Sequence, residues 1–193
     1  LSEQFGSFGG GSSGGGGSTP TANISIEILD TEEIDPAVIS YTFTPAAALT
    51  NDKYSKIVMV IDGEVTTGTQ ELQLVINGHM GTTNDSVGYA VNGGAIVSFV
   101  DINTDHLEIH NSLATSHQFF ATIELYMSDL LNGETEGFST CMNNSDEGRT
   151  MYHVSRNADG EITSLKIFLT GSTFKIGTKI TTYGYLRSMI LPP

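Results

Sequence analysis

Residues 117–127, HQFFATIELYM, decide the fold. Phe, Thr, Ile and Tyr recur there with a period of two, which suits a pleated strand and not the 3.6-residue period of a helix. Shorter runs of the same kind lie on either side. Ile24, Ile26 and Ile28 alternate with Ser25 and Glu27, and Ile39, Tyr41 and Phe43 alternate with Ser40 and Thr42. Residues 56–61, KIVMVI, form a continuous apolar run suited to a strand covered on both faces. Leu72, Leu74 and Ile76 share one face of 70–77, and further strands are predicted at 95–102, 106–110, 149–155, 161–169 and 173–184. Asp62-Gly63, Asn77-Gly78, Asn92-Gly93, Asn132-Gly133 and Asp159-Gly160 are dipeptides that tolerate the positive φ of hairpin turns. Only 46–51 and 128–132 read as short helices. The pattern predicts an all-β chain of two antiparallel sheets, packed as a β-sandwich or jelly roll.

The start of the chain is different. Of residues 1–19, LSEQFGSFGGGSSGGGGST, eight are Gly and five are Ser. Such a segment buries too little surface to offset its ordering entropy, so a flexible, extended arm is expected over residues 1–20, ahead of a sandwich domain over 21–193. Phe5, Phe8, Gly9, Gly10 and Gly11 are its candidate partner-binding residues: the rings as anchors in a partner's groove, the glycines permitting close backbone approach. The 193 residues suit one domain plus such an arm. No apolar run approaches the ~20 residues of a spanning helix, and no basic, apolar leader is present, so neither a membrane span nor a retained signal peptide is expected.

Charge narrows the function. The formal net charge is −14, and no Lys or Arg lies between Lys56 and Arg149 while that stretch holds thirteen acids. Nucleic-acid binding needs Lys and Arg against phosphates, so a DNA or RNA partner is not expected. From Arg149 onward the balance reverses, with Arg149, Arg156, Lys166, Lys175, Lys179 and Arg187 against Asp159 and Glu161. These bases either supply the acidic middle with counter-charge inside one chain or face the acidic middle of a neighbouring copy.

Motifs for chemistry are sparse. Cys141 is the single Cys, which excludes an internal disulfide and a Cys-based zinc site, and it has no cationic sequence neighbour until Arg149 to lower its pKa. His106 and His110, four apart on a strand, would stand ~13 Å from each other, too far to share a metal. Asp101, Asn103 and Asp105 open like a calcium loop, but His106 and Ser112 occupy the positions where Gly and Glu are needed, so turn-forming roles are expected. Glu32, Glu33 and Asp35 read as a solvated loop. There is no G-x-S-x-G elbow, and the Gly-rich arm lacks the Lys-Ser/Thr of a phosphate loop. Neither an enzymatic activity nor a cofactor or metal is expected. Tyr54, Tyr89, Tyr126 and Tyr152 are possible stacking platforms for a sugar, though packing in the core or at its rim is the expected role of each.

Two stretches belong together. The first, 69–89, runs from a strand into Ile76, Asn77, Gly78, Gly81 and Tyr89; the second, 160–184, carries Ile162, Ser164, Leu165, Ile167, Leu169, Phe174, Gly177, Thr178, Ile180, Tyr183 and Gly184. Their pairing and order resemble a family of tailed-bacteriophage virion proteins with a β-sandwich domain, met as head decoration or fibre proteins and as tail structural proteins. The distinctive positions are Asn77, Gly78, Tyr89, Phe174, Gly177, Tyr183 and Gly184; the family's usual Leu before Tyr-Gly is Thr182 here. The second motif reads as a long hairpin closing the sandwich, with Gly177 at a bulge or close approach and Tyr183-Gly184 ending the strand. These are scaffold positions.

The resemblance implies location in the virion, and partners among major capsid or tail proteins and copies of the chain itself. Of head and tail, a capsid decoration or head-fibre protein attached through the N-terminal arm is preferred, because a Gly-rich arm and low charge suit close packing across repeated subunits. The alternatives are a tail structural protein and a host glycan-binding adhesin module.

Overall fold

In the computed structural model the described residues are 25–187, except 82, 93–94, 116, 128–133, 145–146 and 157–160. Among them there are fourteen strands and no helix. In chain order they are β1 (Ile26–Glu33), β2 (Ser40–Phe43), β3 (Leu49–Thr50), β4 (Tyr54–Glu64), β5 (Gln70–Ile76), β6 (Asn84–Asn92) and β7 (Ala95–Thr104). The second half supplies β8 (Leu107–Leu113), β9 (Gln118–Tyr126), β10 (Thr135–Asn143), β11 (Gly148–Ser155), β12 (Glu161–Ile162), β13 (Leu165–Leu169) and β14 (Lys179–Leu186).

The strands form an antiparallel β-sandwich. One sheet has eight strands in the order β1-β14-β4-β9-β10-β11-β6-β7, the other four in the order β2-β13-β5-β8, and β12 pairs with β3 in a small ribbon. Alternation puts Ile57, Met59 and Ile61 of β4 and Phe119, Ala121, Ile123 and Leu125 of β9 on the inner face of the large sheet. They meet Leu72, Leu74 and Ile76 of β5 and Leu165, Ile167 and Leu169 of β13 in one continuous core. Each fully buried aliphatic contributes about 2 kcal/mol of transfer free energy. The four-stranded sheet covers only part of the large one, so the β6–β7 end extends past the core, and Ala95 and Val97 are exposed although they point inward.

Several expectations change. Residues 46–51 form no helix: Leu49–Thr50 is β3, paired with β12, and Leu49 is core. The second short helix, 128–132, lies outside the described residues, as do Asn132-Gly133 and Asp159-Gly160. Asp62-Gly63 is no turn but lies inside β4, where a Cβ on Gly63 would sit 2.6 Å from the Thr178 methyl. The predicted strand 161–169 divides at Thr163-Ser164 into β12 and β13. The second motif is a crossover and not a hairpin, because β13 belongs to the small sheet and β14 to the large one. Glu32 and Glu33 end β1 as exposed strand residues and so do not form a loop.

Two strands had no sequence signal, β6 and β10, because their alternation is inverted. Thr135, Gly137, Ser139 and Cys141 of β10 face inward while Phe138 and Met142 face solvent. Asn84, Ser86 and Gly88 of β6 face inward while Val87, Tyr89 and Val91 face solvent. The reason lies in β11 between them, whose inward residues Arg149, Met151 and His153 are long. Small neighbours make room for them; a Cβ on Gly88 would meet the Thr150 carbonyl oxygen at 2.1 Å.

Candidate functional site

The two sequence motifs are joined by one side chain. Asn77 and Gly78 follow β5 with φ of 54° and 71°, the left-handed pair a tight turn needs. That turn aims the Asn77 amide at the segment between β12 and β13. Oδ1 accepts from the Thr163 N–H at 2.7 Å, the Ser164 N–H at 3.1 Å and the Thr163 hydroxyl at 3.1 Å, and Nδ2 donates to the Glu161 carbonyl at 2.7 Å. Phe174 is fully buried and bridges Val38 and Val65. Gly177 has φ of 89° and open space around a would-be Cβ, so it serves a turn and not the bulge or close approach expected of it. Gly184 lies inside β14, not at its end, and a Cβ there would sit 2.5 Å from the Tyr54 ring. Tyr183 is half-buried on the outer face of the large sheet. Phe5, Phe8, Gly9, Gly10 and Gly11 lie outside the described residues.

The inner face beneath β6, β10 and β11 is polar. The His153 ring spans two hydroxyls, with Nδ1 2.9 Å from Ser86 Oγ and Nε2 2.7 Å from Ser139 Oγ. All three residues are closed off from solvent, and burial pulls the His153 pKa down to about 4. A serine–histidine pair without solvent access presents no nucleophile to a substrate; it satisfies buried polar groups. Beside it Arg149 Nη1 donates to Glu108 Oε1 at 2.8 Å, Nη2 donates to Asn111 Oδ1, and the guanidinium lies 4.4 Å from the centre of the Phe99 ring. Burial pushes the Glu108 carboxyl up to about 7 against the lowering pull of Arg149. Arg149 is also the cross-strand neighbour of Cys141, a contact hidden by their eight-residue separation; burial nevertheless pushes the thiol up to about 12.

The remaining candidates have structural roles. His106 holds Asp105 Oδ1 at 2.7 Å through Nδ1 and Gln73 at 2.9 Å through Nε2. His110 is fully buried and does not line an open strand face; its Nδ1 accepts from the Ser112 N–H, and burial pulls its pKa down to about 4. Asn103, with φ of 57°, sits at a bulge in β7 and donates its N–H to Asp85. Among the described residues no three His, Cys, Asp or Glu side chains are grouped to hold a metal ion. Four of the six late bases find acids within the same chain: Arg149 with Glu108, Arg156 with Asp85 and Glu134, Lys175 with Glu64, and Lys179 with Glu33.

What stands out is the outer face of the large sheet. Strand register lines its side chains into rows across the strands. One row runs Phe138, Tyr152, Val87, Val100; the next Thr122, Thr140, Thr150, Tyr89, Ser98; the third Phe120, Met142, Gly148, Val91, Ile96. Over β10, β11, β6 and β7, two apolar rows thus flank a hydroxyl-bearing one with no charged side chain among them; on β9 the first row ends at Glu124, opposite Phe138 and paired with Lys56. Ile96 is 74% exposed, Tyr89 63% and Val100 61%. Tyr89 was expected to pack in the core or its rim; the inverted alternation of β6 puts it in the open instead, whereas Tyr54 is buried. The bare backbone of Gly148 leaves a groove of about 950 Å³ bordered by Tyr89, Val91, Ile96 and Met142. Three strand spacings of ~4.8 Å by four residues of ~3.4 Å give the uncharged patch a footprint of roughly 200 Å² in projection.

No protein-family model matches the chain, and no match is found among curated proteins.

Proposed function

We propose that the chain is a structural component of a bacteriophage particle, most simply a capsid decoration or head-fibre protein. Its arm, residues 1–20, attaches it, and the sandwich docks on neighbouring virion proteins. The observation that carries the reading is the uncharged, largely apolar outer face over β10, β11, β6 and β7 on a chain of net charge −14. An acidic body presenting one neutral, flat face suits packing against a repeated protein surface, where many weak copies attach collectively. Asn77 joins the two stretches on which the resemblance to the virion family rests.

A tail structural role uses the same face and the same arm. A glycan-binding role has one observation in its favour: Tyr89 stands exposed in a groove beside Thr140 and Thr150, an aromatic platform with hydroxyl partners.

The test is incorporation. In particles assembled with tagged protein, labelled copies should appear at symmetric sites on the head, and Tyr89→Lys/Val91→Glu should fold normally yet be lost from particles. Absence of the protein from purified particles overturns the reading. Tight, Tyr89-dependent binding on a glycan array, without particle association, replaces it with the adhesin role.

A further inference from the structure

The two edges of the eight-stranded sheet are built differently. At one edge, β1 is interrupted by a register shift between Ile28 and Asp30 and carries Glu27, Asp30, Glu32 and Glu33. A bulge and acidic side chains are the devices that keep an edge strand from pairing with another chain. At the other edge β7 has none of these for most of its length. Residues 95–100, AIVSFV, contain no charge, no Pro and no Gly, and the register with β6 is unbroken from Asn92↔Ala95 to Ser86↔Asp101. Among the described residues no strand pairs with the free side of β7. Ile96 and Val100 are exposed on the outer side of this strand and Ala95 and Val97 on the inner side, where the small sheet no longer covers it.

We infer that β7 is a homodimer edge: two copies of this chain pair their β7 strands antiparallel about a two-fold axis at Ser98, joining two eight-stranded sheets into one. Three observations commit the occupant to a second copy. The first is self-complementarity. With Ser98 opposite itself, Ile96 faces Val100 of the second copy on the outer side, Val97 faces Phe99 on the inner side, and Asp101 faces Ala95 and not another acid. Odd residues then stay on one face and even residues on the other, so the two outer patches become one continuous surface.

The second is charge. Two chains of net −14 repel, and residues 95–100 form an edge where copies can approach without bringing acids together. The third is closure. The blunted β1 edge cannot extend the sheet, so pairing stops at two copies and does not run on into a fibre. In this register the ladder runs over residues 95–101 of each copy, with β-branched side chains at Ile96, Val97 and Val100, composition that favours pairing. This inference does not depend on the particle assignment.

Three measurements test it on the full chain. Light scattering across the micromolar range should give twice the chain mass of 20.6 kDa, and Val97→Lys/Val100→Lys should return it to one chain mass with its melting temperature retained. Ser98→Cys should cross-link through a disulfide on mild oxidation, since directly opposed residues lie ~4.5–5.5 Å apart between Cα atoms. Ile96→Cys should not, being displaced ~13 Å along the strand from its counterpart. Cys141 is buried and leaves the readout clean. A single-chain mass throughout, an unaltered dimer in the Lys variant, or a dimer in which Ser98→Cys fails to cross-link each overturns the proposal. If it fails, labelled copies on particles still decide the function.

Discussion

Acidification should weaken this fold by about 2 kcal/mol between pH 6.5 and pH 4.5, through three buried groups of opposing sign. His110 and His153 ordinarily titrate near 6.5, and burial holds both down to about 4 in the folded chain. Between those values the unfolded chain takes up two protons that the native state refuses, so stability falls as pH falls. Around His110 stand Arg149 and His117, which hold its pKa down further, and Glu147, which opposes them. Glu108 acts the other way. Its carboxyl is raised from 4.5 to about 7, so over much of the same interval the native state keeps a proton that the unfolded chain has released. The net difference grows from a small fraction of a proton at pH 6.5 to about one proton near pH 5, where the slope reaches about 1.4 kcal/mol per pH unit. Below pH 4.5 the native histidines take up protons with midpoints near 4 and Glu108 becomes protonated in both states, so the slope falls away. Above 6.5 the unfolded histidines and native Glu108 lose protons together, the two contributions nearly cancel, and stability levels off.

Urea unfolding at closely spaced pH values reads this directly, and Glu108→Gln isolates the opposing group. That variant should double the slope between 4.5 and 6.5, whatever it does to absolute stability by leaving Arg149 unpaired. A flat stability profile across that window, or an NMR titration of folded His153 with a midpoint near 6.5, would refute the reasoning.

Other substitutions probe the scaffold and the arm. Asn77→Ala removes the amide that four backbone and hydroxyl groups share and leaves Ala at positive φ; about 2–3 kcal/mol should be lost in urea unfolding, with Asn77→Asp recovering the part owed to Oδ1. Gly184→Ala forces a methyl into the Tyr54 ring and should cost about 1–3 kcal/mol, relieved in the Gly184→Ala/Tyr54→Leu double variant when the two melting curves are compared. Deleting residues 1–20 should leave the cooperative melt intact, because the core is drawn from residues between Ile34 and Ile180, while reducing incorporation into particles; loss of the transition would show that the arm belongs to the fold.

Where large apolar side chains point inward the strands were legible: β9 and β13 from period-two alternation, and β4 from the continuous apolar run KIVMVI. β6 and β10 escaped because they read small-inside and large-outside, a pattern that depends on the length of Arg149, Met151 and His153 across the sheet. The same inversion hid the outer face, since Tyr89, Val91, Phe138 and Met142 look like core until the register is known. Asn77 was visible as a motif residue, but its role depends on the 86-residue return of the chain that brings Thr163 beneath it. The partnership of Arg149 with Glu108, 41 residues apart, has no local signal at all. The distinction between crossover and hairpin in 160–184 was equally invisible, because it depends on which sheet each strand joins.

The first and last strands are neighbours, and Ile26 lies opposite Tyr185. Whatever precedes the sandwich and whatever follows it therefore leave from one corner of the body, with β7 seven strand spacings away, ~34 Å by ordinary sheet geometry. Any load carried through either end of the polypeptide enters at that corner and leaves the far margin unencumbered. The molecule is hung like a flag from a pole, and tension on its attachment peels β1 from β14 one hydrogen bond at a time before it reaches the opposite hem.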